Sequence, residues 1–141
     1  MGHLLGSGSY AKVKLAHIKD SSNKVAVKIA CKSHLRKMKE NYRDDNGELK
    51  TRSALEKVYN EIQVLEKCKH PRIPKLIDVF EDDFEDRIYI IMEYVPKGAL
   101  VDWDNDSQSF VVKRAGEKHL SEDEIRKVLR GAIEALEYCR F

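Results

Sequence analysis

The sequence predicts an α+β chain: five short strands and one helix, followed by a segment dominated by a second helix. Three observations carry this. Around a pair of glycines near the N-terminus the residues alternate at period two, with Val13, Leu15 and His17 on one face. Ser53, with Glu56 three residues on, reads as a capping box before Leu55, Val58, Ile62 and Leu65 at helical spacing. Ser121 and Glu124 repeat that start before Ile125, Val128, Leu129, Ala132, Ile133 and Leu136.

Taken in order, the chain first places Gly6 and Gly8 between two strands, in L-G-S-G-S-Y-A-K-V-K-L-A. Glycine lets a backbone approach an anion closely and adopt positive φ without a steric cost, so this loop reads as a phosphate cover. A dinucleotide-binding turn would need a helix directly after the glycines, and the period-two run excludes it. A Walker-type G-x-x-x-x-G-K-[ST] occurs nowhere. The polar turn Asp20-Ser21-Ser22-Asn23 leads to a strand over 24–30, where V-A-V-K ends on Lys28 and brings a point charge toward the loop. Val13 and Ala26 would face one another across a cleft as an apolar lid for a flat ring, or serve as plain core.

Residues 33–52 carry ten charged side chains, from Arg36 to Arg52, around an Asn46-Gly47 turn, and are expected to form a mobile surface insert. After the Ser53 helix, Pro71 and Pro74 bar its continuation. Strands are expected over 75–80 and 88–92, around the acidic loop 81–86. Pro96-Lys97-Gly98 breaks the last strand. A short helix is expected to begin over 100–103, irregular chain to run over 104–118, and a long helix to occupy about 122–139. The division expected is 1–95 and 96–141.

Composition narrows the function classes. With 141 residues, 35% charged and 42% apolar, the chain is large enough for one hydrophobic core. A net charge of +2 is too small to argue for nucleic acid or a membrane surface. No run approaches the roughly eighteen apolar residues of a membrane span. No signal peptide is expected before the glycine loop, and Gly2 is read as part of the first strand rather than as a myristoylation site. Cys31, Cys68 and Cys139 read as reduced core cysteines of a cytoplasmic, intracellular protein. His70 has no companion at metal spacing.

The glycine loop and V-A-V-K together resemble the N-terminal, ATP-binding lobe of eukaryotic protein kinases, whose pattern is G-x-G-x-x-G-x-V followed by V-A-I-K. Ala11 stands where the third glycine would be. The resemblance implies a five-stranded antiparallel sheet with one helix, then a hinge and the first helices of a second lobe. It implies that Glu61 pairs with Lys28 to hold the ammonium against the nucleotide phosphates. Y-I-I-M-E-Y-V over 89–95 resembles the fifth strand and hinge. Met92 would then back the adenine pocket, while the Glu93 carbonyl and the Val95 amide and carbonyl read the adenine edge. Leu5, Gly6, Ser7, Gly8, Ser9, Tyr10, Val13 and Ala26 complete the implied ATP site. Ala99 occupies the place of a ribose-binding acid. Asp83-Phe84-Glu85 is not taken for the family's magnesium-binding D-F-G, because it precedes the hinge and lacks the glycine.

The helix over 122–139 resembles the one preceding the kinase catalytic loop, whose H-R-D and later D-F-G do not occur in this sequence. The function implied is a serine/threonine protein kinase represented by its ATP-binding half. Mg²⁺ is implied by family, its protein ligands lie outside this chain, and a protein is the implied substrate. By itself the polypeptide is expected not to transfer phosphate, and its last helix is expected to expose an apolar face. The alternative is an inactive, truncated domain that binds nucleotide or a partner. The insert, E-K-V-Y-N-E-I-Q-V-L and L-S-E-D-E most resemble calcium/calmodulin-dependent protein kinase kinases, which makes calmodulin a candidate partner.

Overall fold

In the computed structural model, which describes residues 2–112 and 120–140, a five-stranded antiparallel sheet forms first along the chain. Its strands are β1 (Leu4–Ser7), β2 (Lys12–His17), β3 (Lys24–Cys31), β6 (Leu76–Asp82) and β7 (Arg87–Glu93). Between β3 and β6 lie α1 (Lys32–Lys37), β4 (Lys39–Arg43), β5 (Leu49–Ser53) and α2 (Ala54–Lys67). After β7 come β8 (Val101–Asp104), β9 (Ser109–Val112) and α3 (Glu122–Tyr138). The sheet order is β1-β2-β3-β7-β6. Register decides what each face carries. Val13 pairs with Lys28, Leu15 with Ala26, Ala26 with Met92, Lys28 with Ile90 and Ala30 with Ile88, so these residues share one face. Val13 and Ala26 are therefore diagonal neighbours on adjacent strands, not opposed across a cleft.

That face packs on α2. Ser53 caps the helix by accepting from the Glu56 amide at 3.2 Å, and its hydroxyl donates to the Glu56 carboxylate at 2.9 Å. Leu55, Val58 and Ile62 then join Ala30, Ile88, Ile90 and Leu35 in one buried cluster. At 25 cal/mol per Å², burying each of these large side chains is worth about 1.5–3 kcal/mol before entropy is subtracted.

Residues 33–52 take up regular secondary structure rather than an irregular loop. They form α1 and the β4–β5 hairpin, with Lys39 paired to Ser53 and Arg43 to Leu49. Gly47 takes φ +80 in the connecting turn, where Asp44 accepts from the Asn46 and Glu48 amides. Cross-strand contacts hold the ribbon: Thr51 donates to Asn41 at 2.8 Å, Lys50 pairs with Asp44, and Arg52 lies 4.8 Å from the Tyr42 ring centre. At the other end Lys32 is 3% exposed and donates to Glu81 and Asp83. Those two carboxylates, Asp83 first, hold its ammonium well above the ordinary lysine value.

The chain separates into two compact units, Met1–Lys69 with Pro74–Tyr94, and His70–Ile73 with Val95–Phe141. In the second, residues 101–112 form a hairpin where a helix start and irregular chain are expected. Trp103 and Phe110 meet edge to face at 5.1 Å, a cross-strand aromatic pair that favours the ribbon. The remainder of the expected irregular stretch, 113–118, lies outside the described residues. The Ser121–Glu124 capping box forms in full at the start of α3. Arg72 pairs with Glu134 at 3.1 Å, and His70 stacks on Tyr138 at 5.1 Å. The cysteines are not core: Cys31 and Cys139 are exposed and Cys68 is half-buried. No described helix is long and apolar enough to cross a membrane.

Candidate functional site

The site is built where the glycine loop, β3 and α2 meet. The register of β2 with β3 puts Lys28 beside Val13, in the middle of a strand flanked on both sides. On α2, positions 54, 57, 58 and 61 fall at i, i+3, i+4 and i+7, one stripe of the helix. Its deeper members, Ala54 and Val58, are buried, while Lys57 and Glu61 remain exposed. Lys28 Nζ donates to Glu61 Oε1 at 2.8 Å and to Oε2 at 3.1 Å. The two side chains keep 23% and 44% of their surface, so water screens the pair and its stabilising contribution is small. What it supplies is position: an ammonium held at a defined place by a carboxylate on the neighbouring helix.

A cavity of about 320 Å³ opens at this pair. Gly8, Ser9, Tyr10, Val13, Lys28 and Glu61 line it, six of the residues singled out from sequence. Apolar walls come from Ala11, Ala30, Ala54, Val58 and Ile90. Gly6, Ala26 and Met92 stay off this cavity but share the sheet face with Val13 and Lys28 by register. Leu5 sits at an irregularity between the Leu4 and Gly6 pairings, 38% exposed, and Ser7 pairs with Lys12.

The glycines act differently from the expectation of positive φ. The glycines that take positive φ are Gly47 and Gly98, not Gly6 or Gly8. Nothing lies within 4 Å of where a Cβ would stand at either loop glycine. Their use is thus the open space beside the backbone, not relief of backbone strain. The turn itself is closed by the Gly8 amide donating to the Ala11 carbonyl at 2.9 Å.

At the far end of β7, the Glu93 amide donates to the Lys75 carbonyl at 2.9 Å, and the Glu93 carboxylate accepts from the Lys75 amide at 3.2 Å. Val95 belongs to the second unit, where its carbonyl accepts from the Gly98 amide at 3.1 Å. Asp83 is committed to Lys32, which keeps its carboxyl below the usual range, and Phe84 is fully exposed. Among the described residues no group of three or more His, Cys, Asp or Glu side chains could hold a metal ion.

Two residues of the site escape sequence reasoning. Tyr10 Oη donates to Glu40 Oε1 at 2.8 Å, and Lys57 Nζ donates to both Glu40 oxygens at 3.2 and 3.1 Å. Lys57 was within reach as a signal, because it precedes Glu61 by four residues on a helix. Glu40 carried none, since nothing local tells that β4 returns to the loop.

A strand-borne lysine fixed by a helix glutamate beneath a glycine turn is an arrangement that the comparisons with known proteins bear on directly. The family model described as the protein kinase domain matches residues 1–140. This chain belongs to the protein kinase domain family. It is 33% identical over 135 residues to serine/threonine-protein kinase SIK1 of Rattus norvegicus, covering 96% of this chain and 14% of that protein. To serine/threonine-protein kinase SIK2 of Gallus gallus the figures are the same. To the SNF1-related protein kinase catalytic subunit alpha KIN12 of Arabidopsis thaliana it is 34% identical over 140 residues, 99% of this chain and 23% of the relative. The chain thus spans between about a seventh and a quarter of the length of these serine/threonine kinases. The observed sheet with its packed helix is the kinase-domain architecture expected from the sequence.

Proposed function

We propose that these residues form the nucleotide-holding part of a serine/threonine protein kinase, with ATP as ligand and protein hydroxyls as the substrate of the whole enzyme. The observation that carries the reading is the Lys28–Glu61 pair at 2.8 Å, set in a cavity wall shared with Gly8, Ser9 and Tyr10. In this reading the Lys28 ammonium attracts the α- and β-phosphates, and Glu61 keeps it from swinging into solvent. The backbone of Gly6, Ser7, Gly8 and Ser9 covers the phosphates from above, close enough because no Cβ intervenes at the glycines. Leu5, Val13, Ala26 and Met92 offer an apolar surface for the adenine ring. Glu93 offers its carbonyl, since its amide is already taken by Lys75. The adenine-reading role of Val95 rests on the family pattern alone.

The residues present suit a nucleotide: one fixed cation, a glycine turn that lets a ligand approach its backbone, and an apolar sheet face. For magnesium, the described residues offer no group of three or more His, Cys, Asp or Glu side chains. Nor do residues 1–141 include H-R-D or D-F-G, the motifs that orient the substrate hydroxyl and bind the metal. We therefore assign nucleotide holding, and not phosphoryl transfer, to this polypeptide by itself. A cytoplasmic setting accords with that function. The finer placement beside calcium/calmodulin-dependent protein kinase kinases, with calmodulin as partner, is carried by the 33–52 insert, E-K-V-Y-N-E-I-Q-V-L and L-S-E-D-E alone. A calmodulin pull-down dependent on calcium tests it.

A second reading, a partner-binding module, is favoured by the exposed Ile125, Val128, Leu129, Ile133 and Leu136 of α3. Thermal-shift titration with ATP separates the two. Nucleotide protection in the wild type that is lost in Lys28→Met supports the first. Equal protection in both proteins removes Lys28 from its assigned role.

A further inference from the structure

The β4–β5 hairpin reaches the glycine loop through one carboxylate. Glu40, half-buried on β4, accepts from the phenol of Tyr10 at the loop tip and from the ammonium of Lys57 on α2. The Lys57 ammonium also lies 5.8 Å from the Tyr10 ring centre, so the three side chains close on one another. Across the ribbon from Glu40, Arg52 is turned to the Tyr42 ring. Both protonation states suit neutral pH. Tyr10 and Lys57 keep the Glu40 carboxyl below its usual range, and Glu40 pushes the Tyr10 phenol up. Arg52 adds a smaller favourable field at Glu40.

We propose that Glu40 is a positioning residue for nucleotide binding: it clasps Tyr10 of the glycine loop to Lys57 of α2 and so holds the loop over the Lys28–Glu61 pair. The proposal rests on the reading of this site as a nucleotide site. Its physical basis is the looseness of the loop without the clasp. Gly6 and Gly8 have open space beside them, and the turn is closed by the backbone bond from Gly8 to Ala11. A loop that must be ordered by the ligand loses affinity through that ordering, and one already held does not. A phenol donating to an ionised carboxylate is a charge-assisted bond, stronger than a neutral one. Lys57 and Glu61 are neighbours one helical turn apart, so the clasp and the lysine pair anchor to the same stretch of α2. A hairpin that is otherwise a charged surface ribbon thereby acquires a place in the site.

The test compares wild type, Tyr10→Phe, Glu40→Gln, the double variant and Lys28→Met. Amide hydrogen exchange is followed across residues 6–12 without ligand, and affinity is measured for AMP-PNP with magnesium. Each clasp variant is expected to raise loop exchange and weaken AMP-PNP about threefold to tenfold. The double variant should go no further than the stronger single one. The unfolding midpoint should stay near wild type, because half-exposed ion pairs contribute little to global stability. A merely structural role would instead lower the midpoint and leave the loop-specific signals in step with it. Unchanged loop exchange in both clasp variants overturns the proposal. So does raised exchange with unchanged AMP-PNP affinity in a protein whose affinity still depends on Lys28. Affinity indifferent to Lys28→Met, with loop exchange raised, sinks the nucleotide reading and leaves the clasp as a mechanical contact only.

Discussion

The two units of this chain use the same kind of amphipathic helix with opposite results. In the first, α2 lays Leu55, Val58 and Ile62 against the sheet and all three are buried. In the second, α3 has the better start, a complete capping box, and still buries none of its residues. Ile133 and Leu136 remain 55% and 67% exposed. A helix is therefore set by its local signals, caps and spacing, while burial is set by what else is present to pack on it. The candidate site lies in the unit whose helix is buried against its sheet, and that packing of α2 on β3 brings Lys28 and Glu61 to 2.8 Å.

The sharpest way to break this contrast is truncation inside each unit. Ile90→Ala, at a residue 1% exposed in the sheet core, should cost about 2–5 kcal/mol in denaturant unfolding. Leu129→Ala, at 56% exposure on α3, should stay within about 0.5 kcal/mol. Comparable losses would show that α3 is buried in solution. Next in size, the apolar face of α3 should drive association. Leu129→Glu with Leu136→Glu is expected to shift the chain toward monomer in light scattering, and a wild type that is already monomeric removes the effect. Ser121→Ala, which deletes the α3 cap, should lower helix stability by about 1 kcal/mol, read as reduced helicity by circular dichroism.

The smallest effect is in pH dependence, at Lys32 and its carboxylates. Asp83 is held below its usual 3.8, chiefly by Lys32, so its contribution is full above that value and is lost as pH falls through the lowered one. Lys32 is raised above 10.5, chiefly by Asp83, so its contribution is full below that value and is lost as pH rises through the raised one. Lys32→Met should flatten both limbs of the stability profile, and an unchanged profile would show that the pair is not formed in solution.

Much of the first unit was readable in advance because burial writes itself into sequence. The alternation in 12–17, the α2 stripe and the apolar run of β7 all record one face turned inward. The Lys28–Glu61 pair came from motif resemblance, and the observed 2.8 Å contact agrees with it. The β4–β5 ribbon was not readable, although Asn46-Gly47 marked its turn. It buries almost nothing and is held by pairs such as Thr51–Asn41 and Lys50–Asp44, so its composition is that of a loop. The β8–β9 hairpin was missed for the same reason, with Trp103 and Phe110 exposed on a short ribbon. Glu40 was invisible because its partners, Tyr10 and Lys57, lie 30 and 17 residues away in sequence.

The central claim is that Lys28 and Glu61 act as one unit on a bound nucleotide. A double-mutant cycle with Lys28→Met and Glu61→Gln, read as ATP affinity by isothermal titration, tests it most directly. Each single change is expected to weaken ATP about tenfold, and the pair to weaken it no further. Fully additive losses, or full affinity in Lys28→Met, would contradict it.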